Sequence, residues 1–485
     1  MESKRIINDM PAYNLFINGK WVKPGKDQEV ISPITQKICG YVPAANSDEC
    51  KQAVDAAVNA KKTMAGLEAV ERAELLEKLG EAMMNKTDEL AEIIMHESGK
   101  PITLAEHEVI RTAQTLDYAA EEAKRIEGEL LKSDAYPDMP EKLCLVVRQP
   151  LGVVLAIAPF NYPLNLAVAK IAPAIASGNT VVCKPASDDP MSVFEFGKLC
   201  EEIGMPAGSI NIVSGVGSEV GECLVNSPDV DMVSFTGSTE IGKHIADKAR
   251  FKKLHLEMGG KSPSVVLRDA DIDLAVKQSV KGAIKFSGQR CDAVSRIIVE
   301  EEIADAFAEK AVEEVKSWKV GEPEEKDTQL GPLINERAVN HVEALVEDAK
   351  EKGADLLLGG KRLAGWYYAP TVLDNVNEDM RIAHEEIFGP VVVIMRVPDY
   401  ETAIALANDS KYALHASIFT QDVNKAIDGG LRIEAGGVQV NGAPSRGPDN
   451  FPFGGDKESG IGREGIKYTI DEMTKVHSVV LNIQR

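Results

Sequence analysis

Between residues 152 and 267, short apolar runs alternate with amphipathic segments. No other feature constrains the fold of this chain as strongly. The runs cover 152–158, 180–183, 210–213, 232–235 and 264–267, and helical spacing fills the gaps near 164–176, 191–203, 217–226 and 239–249. A run that is apolar at nearly every position, rather than at every second one, is a strand buried on both faces. Strands of that kind joined by helices predict an α/β chain with a parallel, doubly wound sheet. The second half repeats the pattern, with strands expected at 296–299, 391–396, 416–419 and 437–441 and helices near 303–317, 337–352 and 401–408. Ligands bind such sheets outside the carboxyl ends of the strands, so functional residues are sought there.

The N-terminal part is helical after a hairpin. Leu15-Phe16-Ile17 and Trp21-Val22 flank Asn18-Gly19, a two-residue turn signal. Ser47 is a candidate N-cap before Val54, Ala57 and Val58. Leu75, Leu76, Leu79 and Met83 predict a second helix. Leu90, Ile93 and Ile94 predict a third that closes near Gly99, and a long polar helix over about 104–127 carries Arg111. The pattern breaks over 129–151, where a strand is expected at 143–147. The chain ends in an apolar strand over 477–483. An apolar edge strand is a liability unless something covers it.

With 485 residues the chain has room for two or more domains, and its net charge of −22 argues against nucleic acid or an anionic membrane as partner. No stretch approaches 18 uninterrupted apolar residues, and residues 1–11 lack the apolar core of a signal peptide. The seven cysteines are scattered without a CxxC pair, so neither a disulfide framework nor a metal site is expected, and the reducing cytoplasm fits best.

One cysteine stands apart. Phe286-Ser287-Gly288-Gln289-Arg290-Cys291 places a thiol after a glycine and beside a guanidinium. The guanidinium is expected to stabilise a thiolate and lower the thiol pKa, since the thiolate is the nucleophile. Upstream, Leu256-Glu257-Met258-Gly259-Gly260-Lys261 sets a carboxylate before a Gly-Gly turn, a candidate base for a thiol or for water. Taken singly, the two could be a buried structural cysteine and a surface glutamate. Together they resemble the two active-site signatures of the aldehyde dehydrogenase superfamily.

Further strings extend the resemblance along nearly the whole chain: Ala158-Pro159-Phe160-Asn161-Tyr162-Pro163, Val182-Cys183-Lys184-Pro185-Ala186-Ser187, Phe235-Thr236-Gly237-Ser238-Thr239-Glu240-Ile241-Gly242 and Glu385-Glu386-Ile387-Phe388-Gly389-Pro390. The resemblance implies an aldehyde-dehydrogenase-like fold. It comprises a Rossmann-type cofactor domain (1–128 with 149–258), an α/β catalytic domain (259–469) and a small β oligomerisation arm (129–148 with 470–485). Cys291 is then the nucleophile, Glu257 the base for hydrolysis, and Asn161, with the Cys291 amide, the oxyanion donor. Lys184, Ser187, Gly217, Phe235, Thr236, Gly237, Ser238, Glu386 and Phe388 are expected at the cofactor. Ser187 stands where NAD-specific members carry Glu, which implies NADP, with NAD possible.

Arg111, Tyr162, Arg290 and Arg446 match the subgroup of non-phosphorylating glyceraldehyde-3-phosphate dehydrogenases, in which arginines and a tyrosine grip the substrate phosphate. Guanidinium forks suit that oxyanion. Asp292 departs from the Thr of many subgroup members. The reading is oxidation of a small, phosphorylated aldehyde to a carboxylate by a homodimer or homotetramer. Lactaldehyde, sulfolactaldehyde, phosphonoacetaldehyde and semialdehydes remain open as substrates. A non-catalytic homologue is opposed by the full set of Asn161, Glu257 and Cys291.

Overall fold

The structure, a computed structural model, describes residues 2–483. The alternating runs build two large sheets. The first has eight strands in the order Gly460–Ile461, Lys253–Glu257, Met232–Thr236, Val153–Ile157, Thr180–Lys184, Ile210–Ile212, Leu15–Ile17 and Lys20–Val22. Its five central strands are parallel and its edges antiparallel. Side-chain alternation explains why the runs are apolar throughout. Val154 and Ala156 enter one core with Leu76, Leu116 and Phe194, while Val153 and Leu155 enter another with Ala53, Ala57 and Leu224. Each face of the sheet is covered by helices, so neither set meets water.

The run expected at 264–267 does not join this sheet. It is Ser262–Val266, a central strand of the second sheet, whose order is Asp355–Leu358, Thr371–Asp374, Val391–Val397, Val294–Glu300, Ser262–Val266, His415–Phe419 and Gly437–Val440. Periodicity reports that a strand is buried on both faces, but not which neighbours bury it. All but the first of these seven run parallel.

The Asn18-Gly19 turn forms as expected, with φ positive at both residues. Gly99 closes the helix Thr87–Ser98 in the left-handed conformation. The N-cap of the helix Ser47–Gly66 is Asn46, not Ser47. Its side chain accepts from the Asp48 and Glu49 amides, and Glu49 returns to the Asn46 amide. The glutamate three residues on completes a capping box and fixes the start one residue earlier.

The C-terminal strand starts earlier than expected, at Thr474. Thr474–Asn482 pairs along its length with Lys142–Pro150, which also pairs with Glu129–Lys132. The three make a separate sheet in which Thr474–Asn482 is an outer strand, with Val476, Val479, Val480 and Leu481 exposed. Residues 484–485 of the expected arm lie outside the described residues. Among the described residues, no helix is long and apolar enough to cross a membrane.

Candidate active site

The carboxyl ends of the first sheet's strands face the amino ends of the second sheet's strands. From the first sheet, Asn161 follows Val153–Ile157, Thr236 ends Met232–Thr236, and Glu257 ends Lys253–Glu257. From the second, Gly259-Gly260-Lys261 lead into Ser262–Val266, Cys291 precedes Val294–Glu300, and Glu386 and Phe388 precede Val391–Val397. The strand under Glu257 escaped the apolar pattern because Lys253 and His255 interrupt it.

A cavity of about 520 Å³ at this seam is lined by Asn161, Glu257 and Cys291 and also by Arg111, Tyr162, Arg290 and Arg446. The sequence thus named seven residues from five separate stretches that meet around one space. Thr236 lines it too.

The loop carrying Cys291 is bent to reach the seam. After the helix Ile272–Ile284, Phe286, Ser287 and Gly288 all take positive φ. The two non-glycine residues cost of order 1–2 kcal/mol each there. Tertiary bonds hold them. The Ser287 hydroxyl donates to the Gly331 carbonyl at 2.7 Å, and the Gln289 side-chain oxygen accepts from the Ile334 amide at 2.9 Å. Two glycines let three signature strings interlock. A Cβ on Gly260 would overlap the Cys291 carbonyl, and one on Gly288 would overlap that of Gly389.

The expectation of a lowered thiol pKa is corrected by the surroundings of Cys291. Burial pushes the thiol well up, the carboxylates of Asp292, Glu257 and Glu386 add to this, and Arg290 opposes only in part. That guanidinium is engaged elsewhere, donating to Asp292 at 3.1 Å and to the Gly282 carbonyl. Asp292 has a contact on each oxygen. Oδ1 takes Arg290, and Oδ2 accepts from the Arg446 amide at 3.1 Å.

The other arginines are paired as well. Arg446 donates to Glu464 at 2.7 Å, and Arg111 donates to the Gly447 carbonyl at 2.6 Å and to Asp449 at 3.2 Å. Glu464 is bridged on its other oxygen by buried Lys170 at 2.8 Å. None of this pairing is visible in sequence, because the partners are loop carboxylates without a pattern.

Both Glu257 oxygens are buried without a hydrogen bond among the described residues. Burial pushes this carboxyl up to about 7, against the pull of His255, whose Nε2 lies 3.5 Å from Oε1. Burial alone would lower His255, but the carboxylates of Glu257 and Glu472 hold it up at about 9. Its Nδ1 contacts the partly exposed Glu472.

Asn161 is anchored through its backbone. Buried Lys100 donates to the Asn161 carbonyl at 2.8 Å and pairs with fully buried Glu108. Glu108 also accepts from the Leu164 and Asn165 amides at 3.1 and 3.2 Å, at the start of the helix Pro163–Ala176. The Lys100 ammonium lies 4.0 Å from the Tyr162 ring centroid and 4.5 Å from that of Phe286. The Asn161 side-chain oxygen has no partner among the described residues, and the side chain lines the cavity.

The residues expected at a cofactor lie mostly along the edge beyond the cavity. Among the described residues the ammonium of Lys184, 5% exposed, bonds only to the Pro185 carbonyl, and burial pulls it down to about 8. The Ser187 hydroxyl donates to the Gly215 carbonyl at 3.1 Å, tying it to the turn that holds Gly217. Nothing stands where a Cβ on Gly217 would point. Ser238 caps the helix Thr239–Lys248. Phe235 is a core residue whose ring packs under Gly237 and Gly242. Glu386 accepts from the Gly260 amide at 3.0 Å and is pushed up to about 7 by burial. Phe388 packs edge-on against Phe160, centroids 5.7 Å apart. Among the described residues, no group of three or more His, Cys, Asp or Glu could hold a metal ion.

The sequence profile of the aldehyde dehydrogenase family matches residues 21–479. The chain belongs to the aldehyde dehydrogenase family. An NADP-dependent glyceraldehyde-3-phosphate dehydrogenase of Streptococcus equinus is 42% identical to it over 474 residues, 98% of this chain and 99% of that one. A lactaldehyde dehydrogenase of Methanococcus aeolicus is 41% identical over 472 residues, 96% of this chain and 100% of that one. The crystal structure of an NADP-dependent glyceraldehyde-3-phosphate dehydrogenase from Bacillus halodurans, complexed with NADP, superposes with a TM-score of 0.95 at 43% identity, covering 97% of this chain and 99% of that chain. As expected for an aldehyde dehydrogenase, the fold places a Rossmann-type parallel sheet against a second α/β layer and adds a small β arm.

Proposed function

We propose that this aldehyde dehydrogenase oxidises an aldehyde with an anionic head, foremost glyceraldehyde 3-phosphate, to its carboxylate with NADP. The supporting observation is the single cavity that holds Cys291, Glu257 and Asn161 beside Arg111, Arg290 and Arg446. In this reading the Cys291 thiol, held protonated at rest, gives its proton to Glu257 as its sulfur bonds to the aldehyde carbon. Asn161 and the Cys291 amide stabilise the oxyanion, the kind of contact worth about 2.7–4 kcal/mol. When bound, NADP supplies the acceptor for the aldehyde hydrogen as hydride. Glu257 releases the thiol proton to solvent and then takes one from the water that attacks the thioester; the C–S bond breaks, the proton of the new acid restores the thiol, and the carboxylate leaves. One aldehyde, one water and one hydride acceptor enter, and no phosphate is consumed.

The edge beyond the cavity fits the cofactor. Lys184 is a buried ammonium with no carboxylate partner among the described residues, Ser187 brings no charge against a 2′-phosphate, and the capped start of Thr239–Lys248 suits a pyrophosphate. Glu386 and Phe388 complete the edge from the opposite sheet. We assign the cofactor part to 1–128 with 149–258, the catalytic part to 259–469 and an oligomerisation arm to 129–148 with 470–485, supported by sheet membership. The exposed apolar strand of the arm supports a homodimer or homotetramer.

One observation favours a neutral substrate such as lactaldehyde: each of the three arginines already meets a carboxylate. Steady-state kinetics with glyceraldehyde 3-phosphate and lactaldehyde, each with NADP and with NAD and without phosphate, decide between the two. A kcat/KM advantage of about 10³ for the phosphorylated aldehyde, some 4 kcal/mol, is expected. A preference for lactaldehyde would overturn the anionic substrate and leave the thiol chemistry standing.

A further inference from the structure

If the arginines are paired, an anionic head needs another cation, and the cavity wall holds one. Lys285 ends the helix Ile272–Ile284 and lines the cavity with Arg290 and Cys291. The reversal of the chain at Phe286 and Ser287 directly after it takes Lys285 off the helical path. Its side chain is part-buried, yet among the described residues it makes no hydrogen bond or ion pair. The carboxylate that favours its charge is Asp292, but Asp292 is already engaged on both oxygens, by Arg290 and by the Arg446 amide. The charged groups that act most on Lys285 are three cations, Arg290, Lys281 and Lys100, and the carboxylate of Asp292. A part-buried ammonium with cationic neighbours is unfavourable in the free protein, and an arriving anion would relieve it. Lys100 cannot serve in its place, being closed off by Glu108 and the Asn161 carbonyl.

We propose that Lys285 binds the anionic head of the aldehyde and sets the preference for charged over neutral substrates. This rests on the reading of the cavity as the aldehyde site. Arg290 flanks the same position, and a compact ammonium with three donors takes the oxygens that a guanidinium tied to Asp292 leaves free.

The test compares K285M and K285R with the wild type on glyceraldehyde 3-phosphate and on lactaldehyde. K285M is expected to raise KM for the phosphorylated aldehyde about 10–100-fold, the range of a charged hydrogen bond. The loss on lactaldehyde should be at least tenfold smaller, and K285R should restore most of the difference. A second measurement needs neither cofactor nor turnover. Glycerol 3-phosphate should slow alkylation of Cys291 by iodoacetamide in the wild type and in K285R, and K285M should need at least tenfold more of it. Equal losses on both aldehydes, or unchanged KM and protection in K285M, would overturn the role of Lys285 while the wild-type preference stands. A wild type that does not favour the phosphorylated aldehyde would overturn the substrate reading itself, and Lys285 with it.

Discussion

Replacing Lys100 by methionine tests how Asn161 is held. Lys100 and Glu108 are both fully buried, so removing the ammonium strands a carboxylate in the interior. Breaking a buried pair from one side costs about 3–5 kcal/mol. The Leu164 and Asn165 amides still serve Glu108 Oε1, which places the loss toward the lower end, while the lost bond to the Asn161 carbonyl adds about 1 kcal/mol. At 2–4 °C per kcal/mol for a cooperative unit of about 150–250 residues, the thermal midpoint should fall by roughly 8–20 °C. Turnover should fall too, because the Asn161 backbone loses its anchor. Complete loss of the oxyanion donor proposed at Asn161, about 10²–10³-fold, is the ceiling. K100M/E108Q separates the two effects. With no stranded charge it should regain most of the midpoint, yet kcat should stay low because nothing grips the Asn161 carbonyl. Scanning calorimetry and steady-state kinetics on K100M, E108Q and the double variant complete the cycle. A K100M midpoint within about 2 °C of wild type with unchanged kcat would refute the account.

Three further outcomes are expected. Glu257 must be ionised to take a proton, and its carboxyl is raised to about 7, so kcat should climb as pH rises toward 7 and level off above it. H255Q removes the imidazolium that pulls this carboxyl down, so the same limb should move to higher pH by roughly one unit, and an unmoved limb would refute the coupling. S187E sets a carboxylate where a 2′-phosphate would lie, so the NADP over NAD ratio of kcat/KM should fall at least about tenfold, or 1.4 kcal/mol, while NAD kinetics change little. V479K with L481K places charges on the exposed arm strand and should lower the mass measured by light scattering, whereas unchanged mass would deny the arm its role.

What the sequence determined by itself is what local chemistry decides. The Asn18-Gly19 turn follows from its tolerance of positive φ, the end at Gly99 from a left-handed cap, and the central strands from runs too apolar to face water on either side. Cys291, Glu257 and Asn161 stand in whole strings, not as single residues, and the fold brings the three to one cavity. The tertiary structure decided the rest. It put a strand under Glu257 despite Lys253 and His255, and raised rather than lowered the thiol pKa. It matched Arg446 to Glu464 and Arg111 to Asp449 and, among the described residues, gave the Lys285 side chain no hydrogen bond or ion pair. Backbone turns and caps depend on neighbours in the chain. The charge state and free valence of a site depend on which groups share its low-dielectric space, and distant segments supply those groups only after they fold together.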